Sequence, residues 1–231
     1  MAGKIYGVGV GPGDPELMTL KAVRLIEEAD VLAIPSKDRE SCVAYKIAAG
    51  AVKGLSKKEV VPVVFPMTKD ETLLKRSHEE GARRVSELLD QGKTVVFLTL
   101  GDPTVYSTYL YLHKRLVSMG YESEIVSGVP SFCAAAAKLS VSLGEKAESI
   151  HILPGSYPVE EGLSLSGTKV LMKSGKQLKS VKQLLLSKGE HGMMAENCGM
   201  DGERLVYKTE EIPEDAGYYS LIIVKDRKEM R

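Results

Sequence analysis

The sequence has no long apolar run and no excess of charge of either sign. No hydrophobic stretch approaches the roughly 20 residues that a membrane-spanning helix needs, and the start MAGKIYG lacks the charged region and apolar core of a signal peptide. The 31 basic side chains equal the 31 acidic ones, so no overall field attracts nucleic acid or an anionic membrane. These absences predict a soluble, cytoplasmic protein with neither nucleic acid nor a membrane as its partner.

Motifs for metal binding and for nucleophilic catalysis are lacking as well. The three cysteines are odd in number and widely spaced, so neither a disulfide framework nor a CxxC-type metal site is expected. The four histidines form no HExxH pattern, and no GxSxG nucleophile elbow is present. The sequence therefore predicts no metal and no serine-dependent acyl transfer.

Short apolar runs alternate with amphipathic segments in the first half of the 231 residues. This alternation is typical of a parallel α/β unit, in which helices cover both faces of the sheet. Strands are predicted over 4–10, 30–34, 60–64 and 94–100, and helices over 15–29, 42–52, 71–91 and 103–119.

The second half contains more predicted strands than helices, and this pattern predicts a mixed sheet. A strand is expected near 124–126 and an Ala-rich helix over 131–139, followed by strands at 150–153, 169–172, 193–196, 205–208 and 218–225. The last two strands are predicted to pair antiparallel across the turn-prone EEIPEDAG. A helix that ends at Gly120 places the boundary near that residue, giving α/β domains at 1–120 and 121–231.

Two Gly-Asp-Pro turns, in GVGVGPGDPELMTL and in FLTLGDPTVYS, each follow a predicted strand and precede a predicted helix. The first fails the dinucleotide fingerprint GxGxxG, because Pro12 or Asp14 falls at the last glycine position. Asp14 and Asp102 are instead suited to cap helix N-termini. Both turns also lie at strand ends, where α/β sheets bind ligands, so a helix cap and a site for a neutral or cationic ligand both stay open.

These two segments and EIVSGVPSFCAAAA, in that order, resemble the tetrapyrrole methylases over essentially the whole chain. FPMTKD and VPSFCAAAAKL further resemble the branch that methylates C-20 of precorrin-2 or its cobalt-bearing counterpart, cobalt-factor II. The resemblance implies a role in cobalamin (vitamin B12) biosynthesis, with S-adenosylmethionine as methyl donor and cofactor. It also implies two α/β domains, the cofactor in the cleft between them, and a homodimer.

The resemblance carries over cofactor-binding residues but no catalytic residue. In the first half they are Pro12, Leu100, Gly101, Asp102, Val105 and Tyr106; in the second they are Ser131, Phe132, Met172 and Asn197, with Tyr219 and Ser220 near the adenine. The chain has Pro130 where the family commonly has a serine or threonine, which puts contacts of that residue in doubt.

Basic side chains are expected to bind the carboxylates of a tetrapyrrole. Candidates on predicted loops are Lys37, Arg39, Lys69, Lys173 and Lys176. For each of them, a solvated surface charge is the competing interpretation. Two alternatives to C-20 methylation also stay open. One is another reaction of the family, at a different corrin carbon or on uroporphyrinogen III; the other is a non-catalytic tetrapyrrole-binding module.

Overall fold

A computed structural model describes residues 2–154 and 159–226, with the side chain of Lys176 outside the description. The chain forms two compact units, of which the first ends at Pro130 and the second begins at Ser131. No helix among the described residues is long and apolar enough to cross a membrane.

The first unit is built on a five-stranded sheet in the order β3-β2-β4-β1-β5, with every neighbouring pair parallel. Every residue of β2 and β4 is buried, as expected for a parallel sheet covered on both faces. The predicted parallel unit is therefore confirmed. The strands are β1 (Lys4–Gly9), β2 (Val31–Ile34), β3 (Glu59–Pro62), β4 (Val95–Thr99) and β5 (Glu122–Val126).

Four helices cover this sheet: α1 (Leu20–Glu28), α2 (Val43–Ala51), α3 (Glu71–Asp90) and α4 (Tyr109–Ser118). Alternate strand residues point to opposite faces, so the sheet has two cores. Val96 and Leu98 of β4 belong to the core that contains α1 and α2. Val95 and Phe97 belong to the core that contains α3 and α4.

Two predicted helices begin later than the sequence pattern indicated. The segment 15–29 is a 3₁₀ turn at Pro15–Leu17 followed by α1, because Met18 and Thr19 are extended and the Thr19 hydroxyl accepts a hydrogen bond from the Ala22 amide at 3.1 Å. The predicted helix 103–119 starts only at Tyr109, since the residues before it form irregular turns.

The second unit has a mixed sheet, as predicted, and its strand order is β6-β7-β10-β8-β9. β6 and β7 are parallel, and the other neighbouring pairs are antiparallel. Its elements are α5 (Ser131–Leu139), β6 (Ile150–Pro154), α6 (Glu160–Leu163), β7 (Thr168–Met172), α7 (Leu178–Lys188), β8 (His191–Glu196), β9 (Arg204–Val206) and β10 (Ser220–Lys225).

Three features of this half differ from the sequence-based expectations. β9 and β10 do not pair with each other, because β8 lies between them and pairs with both. Helices α6 and α7 were not predicted. The predicted division near residue 120 also differs from the observed units, because β5 pairs in parallel with β1 and so belongs to the first sheet.

Candidate functional site

The two Gly-Asp-Pro turns lie side by side at the carboxyl edge of the first sheet. β1 and β4 are parallel neighbours, so the loops that follow them leave the sheet at the same edge. The amide of Gly101 donates to the carbonyl of Gly11 at 2.8 Å, and the amide of Gly11 donates back at 3.3 Å. The repeated motif therefore marks two loops in direct contact.

The loop after β5 joins this pair through glycines that leave no room for a side chain. A Cβ added at Gly9 would lie 2.5 Å from the carbonyl oxygen of Gly101 and 2.7 Å from the amide nitrogen of Gly128. A Cβ added at Gly128 would lie 2.3 Å from the same carbonyl oxygen. The glycines therefore allow three backbones to approach closely, which explains them without a phosphate.

Gly7 has a different role, because it makes room for a buried aromatic ring. A Cβ at Gly7 would lie 2.0 Å from the Tyr109 ring. The Tyr109 hydroxyl lies 2.8 Å from the Ser123 hydroxyl and donates to the Glu124 carbonyl. Burial raises the pKa of Tyr109 to about 12. The side chain is fully buried, so it packs the core beneath the loops and stays protonated at neutral pH.

Asp14 caps a single turn, as its sequence context predicted. Its Oδ1 accepts a hydrogen bond from the Glu16 amide at 2.9 Å and so starts the 3₁₀ turn at Pro15. The cap of α1 is Thr19 instead. Asp14 thus serves the local backbone, in the same i to i+2 geometry that Asp102 adopts in the second motif.

Asp102 does not cap α4 but links two loops. Its Oδ1 accepts hydrogen bonds from the amide and the hydroxyl of Thr104, at 2.7 and 2.5 Å. Its Oδ2 accepts a hydrogen bond from the Gly128 amide at 3.0 Å. The residue is only 7 % exposed and forms no ion pair with any described residue. A buried carboxylate therefore lies among the glycine loops, held by hydrogen bonds alone.

The remaining predicted residues of the first half lie in the same two loops. Pro12 is buried next to Gly11, and Leu100 packs against the core formed by α1 and α2. Val105 and Tyr106 follow Asp102 in the irregular segment before α4. Tyr106 has a left-handed φ of 50° and is 48 % exposed. Such a backbone is strained for a bulky residue, and strained residues cluster at functional sites.

Thr99 is a candidate that sequence reasoning missed. It is the last residue of β4, 6 % exposed, and its hydroxyl is buried without a hydrogen-bond partner among the described residues. Buried polar groups are nearly always bonded to protein or to ordered water, so this one marks an unusual position. The only sequence signal is a polar residue closing an otherwise apolar strand just before LGDP.

The second group of predicted residues shares one edge of the second sheet. Met172 ends β7 and pairs with Leu221, while Ser220 begins β10 and pairs with Glu196 at the end of β8. Asn197 follows β8, and its backbone N–H donates to the Tyr219 carbonyl at 3.1 Å. The structure therefore brings together Met172, Asn197, Tyr219 and Ser220.

Ser131 and Phe132 open α5, which packs against β8 and β10. Phe132 is only 9 % exposed, so its side chain mainly packs within the protein. Asn197 has a left-handed φ of 51°, a conformation that asparagine adopts more readily than most residues.

A carboxylate that sequence reasoning missed orders the edge beside Asn197. Glu196 is 8 % exposed, and its Oε2 accepts from the Arg204 guanidinium at 3.0 and 2.7 Å. Its Oε1 accepts from the Gly217 amide at 2.5 Å. Glu196 thus binds Arg204 of β9 through one oxygen and the loop before β10 through the other.

The basic candidates for tetrapyrrole binding separate by their contacts. Arg39 donates to the carbonyls of Ser56 and Lys58, so its guanidinium stabilises the protein's own backbone. Lys37 and Lys69 are exposed, as the competing surface interpretation expected. Lys173 directly follows Met172 with a φ of 60°, and its ammonium lies 5.8 Å from the Tyr218 ring. The side chain of Lys176 lies outside the described residues.

Comparison with known proteins identifies the family to which the chain is similar. The family model described as Tetrapyrrole (Corrin/Porphyrin) Methylases matches residues 4–213. The chain is 35 % identical, over 96 % of both chains, to a probable cobalt-precorrin-2 C(20)-methyltransferase of Methanocaldococcus jannaschii. It is 32 % identical to a precorrin-2 C(20)-methyltransferase of a Sinorhizobium species, over 97 % of both chains.

Among solved structures, the chain is similar to a uroporphyrin-III C-methyltransferase of Thermus thermophilus in complex with S-adenyl homocysteine. The TM-score is 0.72 at 26 % identity, over 97 % of this chain and 98 % of the other.

Proposed function

Because the chain belongs to the tetrapyrrole (corrin/porphyrin) methylases, we propose that it methylates C-20 of precorrin-2 or cobalt-factor II in cobalamin biosynthesis, with S-adenosylmethionine as methyl donor. The observation that carries the proposal is similarity over nearly the whole chain to two proteins named for the C(20) reaction. The donor is supported by the structural likeness to a methyltransferase solved with the demethylated donor.

The loops at the carboxyl edge of the first sheet fit such a donor. Gly9 and Gly128 let the backbones of three loops pack closely together at the carboxyl edge of the sheet, where α/β sheets bind ligands. The anionic Asp102 nearby disfavours a phosphate but tolerates a cation. Pro12, Leu100, Val105 and Tyr106 supply apolar and aromatic surface in the same loops. The carry-over of Ser131, Phe132, Met172 and Asn197 to the donor stays a prediction.

Methyl transfer of this kind does not depend on an acid or base side chain. S-adenosylmethionine supplies a methyl group on a sulfonium, and transfer needs the nucleophilic carbon, the methyl carbon and sulfur nearly in line. An electron-rich carbon of a reduced tetrapyrrole provides the nucleophile itself. The protein's contribution is then positioning and exclusion of water, which agrees with a site made mainly of backbone and glycine. We assign no catalytic residue.

A methyl-transfer assay tests this function directly. The full chain is incubated with S-adenosylmethionine carrying an isotope-labelled methyl group and either metal-free precorrin-2 or cobalt-factor II. Mass spectrometry counts the methyl groups gained, and NMR of the labelled methyl locates the carbon. We expect one added methyl group, at C-20, with at least one of the two substrates.

Other outcomes would replace the proposal. Methylation at a different corrin carbon, or of uroporphyrinogen III supplied in parallel, would indicate another reaction of the family. Donor binding with no turnover on any tetrapyrrole would indicate a binding module. The same assay decides between metal-free and cobalt-bearing substrate, for which the two relatives carry different names. Homodimer assembly and a cytoplasmic location stay predictions.

A further inference from the structure

The carboxylate of Asp102 is fully engaged inside the protein. Oδ1 accepts hydrogen bonds from the amide and the hydroxyl of Thr104. Oδ2 accepts one from the amide of Gly128, which lies 26 positions further along the chain. Asp14 in the other Gly-Asp-Pro motif makes the matching local bond through Oδ1 only. Asp102 additionally accepts hydrogen bonds from the Thr104 hydroxyl and the Gly128 amide, and the second of these joins it to the loop after β5.

This bond lies where three backbones are packed too closely to admit a side chain. Gly128 is packed against the Cα atom of Gly9 and the carbonyl of Gly101, at distances that exclude a Cβ. Its amide points at Asp102 and is satisfied there. Without the acceptor, a partly buried N–H group would lose its partner, and the loop would shift to find another. The carboxylate thus fixes how residues 127–129 lie against residues 100–103.

We propose that Asp102 is a positioning residue for the methyl donor. By joining the loops after β4 and β5 it holds their backbone groups in the donor-binding arrangement, and it does not act as counter-ion to the sulfonium. Both oxygens face N–H and O–H donors of the protein, whereas a sulfonium offers no such hydrogen. The inference rests on the proposed function, since it concerns the binding of the same donor.

The test compares two ligands that differ in charge at sulfur. Asp102→Asn keeps the size of the side chain, but its single oxygen can serve Thr104 or Gly128 and its amide group opposes the other donor. Calorimetry on the full chain measures affinity for S-adenosylmethionine and for the uncharged thioether S-adenosylhomocysteine. Hydrogen exchange of the Gly128 amide reports on the link itself.

We expect both ligands to bind about tenfold more weakly to Asp102→Asn, by the same factor, with faster exchange at Gly128. Selective loss of the sulfonium ligand would overturn the proposal in favour of a counter-ion. Unchanged affinity for both ligands would overturn it too, whatever the exchange rate. Failure of the wild-type chain to bind either ligand would instead overturn the proposed function, while exchange at Gly128 would still report the link.

The matched control is Asp14→Asn. Its remaining oxygen can still accept from the Glu16 amide, and no second bond is lost, so donor affinity should stay within about twofold of wild type. If Asp102→Asn does not fold, Asp102→Ser takes its place. Serine keeps an acceptor for the Thr104 amide and puts no amide group against Gly128, and the same equal loss for both ligands is expected.

Discussion

Gly11 and Gly101 exchange two backbone hydrogen bonds, at 2.8 and 3.3 Å, although ninety positions separate them in the chain. Each glycine opens one of the two Gly-Asp-Pro loops, and both have a left-handed φ, of 79° and 69°. The repeated motif is therefore two halves of one structure at the carboxyl edge of adjacent parallel strands. Each loop depends on the close approach of the other.

Gly9→Ala tests that close approach. The added methyl would meet only backbone atoms, at 2.5 Å from the Gly101 oxygen and 2.7 Å from the Gly128 nitrogen, so the loops would have to separate. We expect the free energy of unfolding in urea to fall by about 2–3 kcal/mol, as for an overpacked core, and S-adenosylhomocysteine binding to weaken.

Gly54→Ala provides the comparison for this variant. Gly54 also has a positive φ, but a Cβ there meets nothing within 4 Å, so only the left-handed strain of about 1 kcal/mol applies. A loss for Gly9→Ala no larger than that for Gly54→Ala would mean that the three loops accommodate the methyl group.

The strands were predictable because their apolar, β-branched runs are local signals. Val95–Thr99 lies within the predicted strand 94–100, and Thr168–Met172 adds one residue to the predicted 169–172. The pairing of β9 with β10 was wrong because order within a sheet depends on contacts between distant segments. In this case β8 lies between the two strands.

The loops of the candidate site were less predictable for the same reason. The pattern Asp-Pro indicated a helix cap at residue 102, and the local half of that expectation holds, since Asp102 accepts from Thr104. The bond to Gly128 joins positions that are 26 apart in the chain, and no local pattern indicated this bond or the left-handed φ of Tyr106. The family resemblance predicts a site at these loops, whereas the bond from Asp102 to Gly128 is visible only in the structure.

Thr99→Val should stabilise the protein. The Thr99 hydroxyl is buried without a partner among the described residues, and valine has nearly the same shape and suits a strand. Removing an unsatisfied polar atom should raise the free energy of unfolding by about 1 kcal/mol.

Thr168→Val is the control, because Thr168 is also buried but its hydroxyl lies 2.6 Å from the Glu148 carboxylate. That variant should lose about 1–2 kcal/mol. If Thr99→Val loses as much, the Thr99 hydroxyl has a partner, such as a bound water.

Tyr106→Asn separates backbone strain from ligand contact. Asparagine tolerates the left-handed φ of 50°, so the free energy of unfolding should stay within about 1 kcal/mol of wild type. If the half-exposed ring contacts the donor, as the resemblance implies, S-adenosylhomocysteine affinity falls about fivefold or more. Tyr207→Asn removes an equally exposed ring outside the predicted site and should leave affinity unchanged. Equal affinity in both variants would remove Tyr106 from the donor site.

The second unit contains an ion pair whose contribution to stability depends on pH. Lys169 is 1 % exposed, and its ammonium lies 2.5 Å from Oδ1 of Asp226, while Oδ2 accepts from the Gly167 amide. Partial burial alone would raise the pKa of Asp226, but the bonds from Lys169 and Gly167 outweigh it and hold this pKa below its usual value. The unfolded chain therefore binds the proton more tightly, and the stabilisation is complete above about pH 5 and declines as pH falls below about 4.

Asp226→Asn should lower the free energy of unfolding by roughly 2 kcal/mol at neutral pH, because it removes the charge of the carboxylate that pairs with the buried Lys169 ammonium; the third of the Asp226 side chain that is exposed moderates the loss. The difference from wild type should shrink as pH falls below about 4, since the wild-type carboxyl is then protonated as well. Urea unfolding at a series of pH values measures both effects. Glu214→Gln breaks the exposed pair with Lys179 and is the control. It should change neither the free energy of unfolding at neutral pH nor the dependence of that free energy on pH. A difference between Asp226→Asn and wild type that stays constant down to pH values well below 4 would contradict the lowered pKa of Asp226.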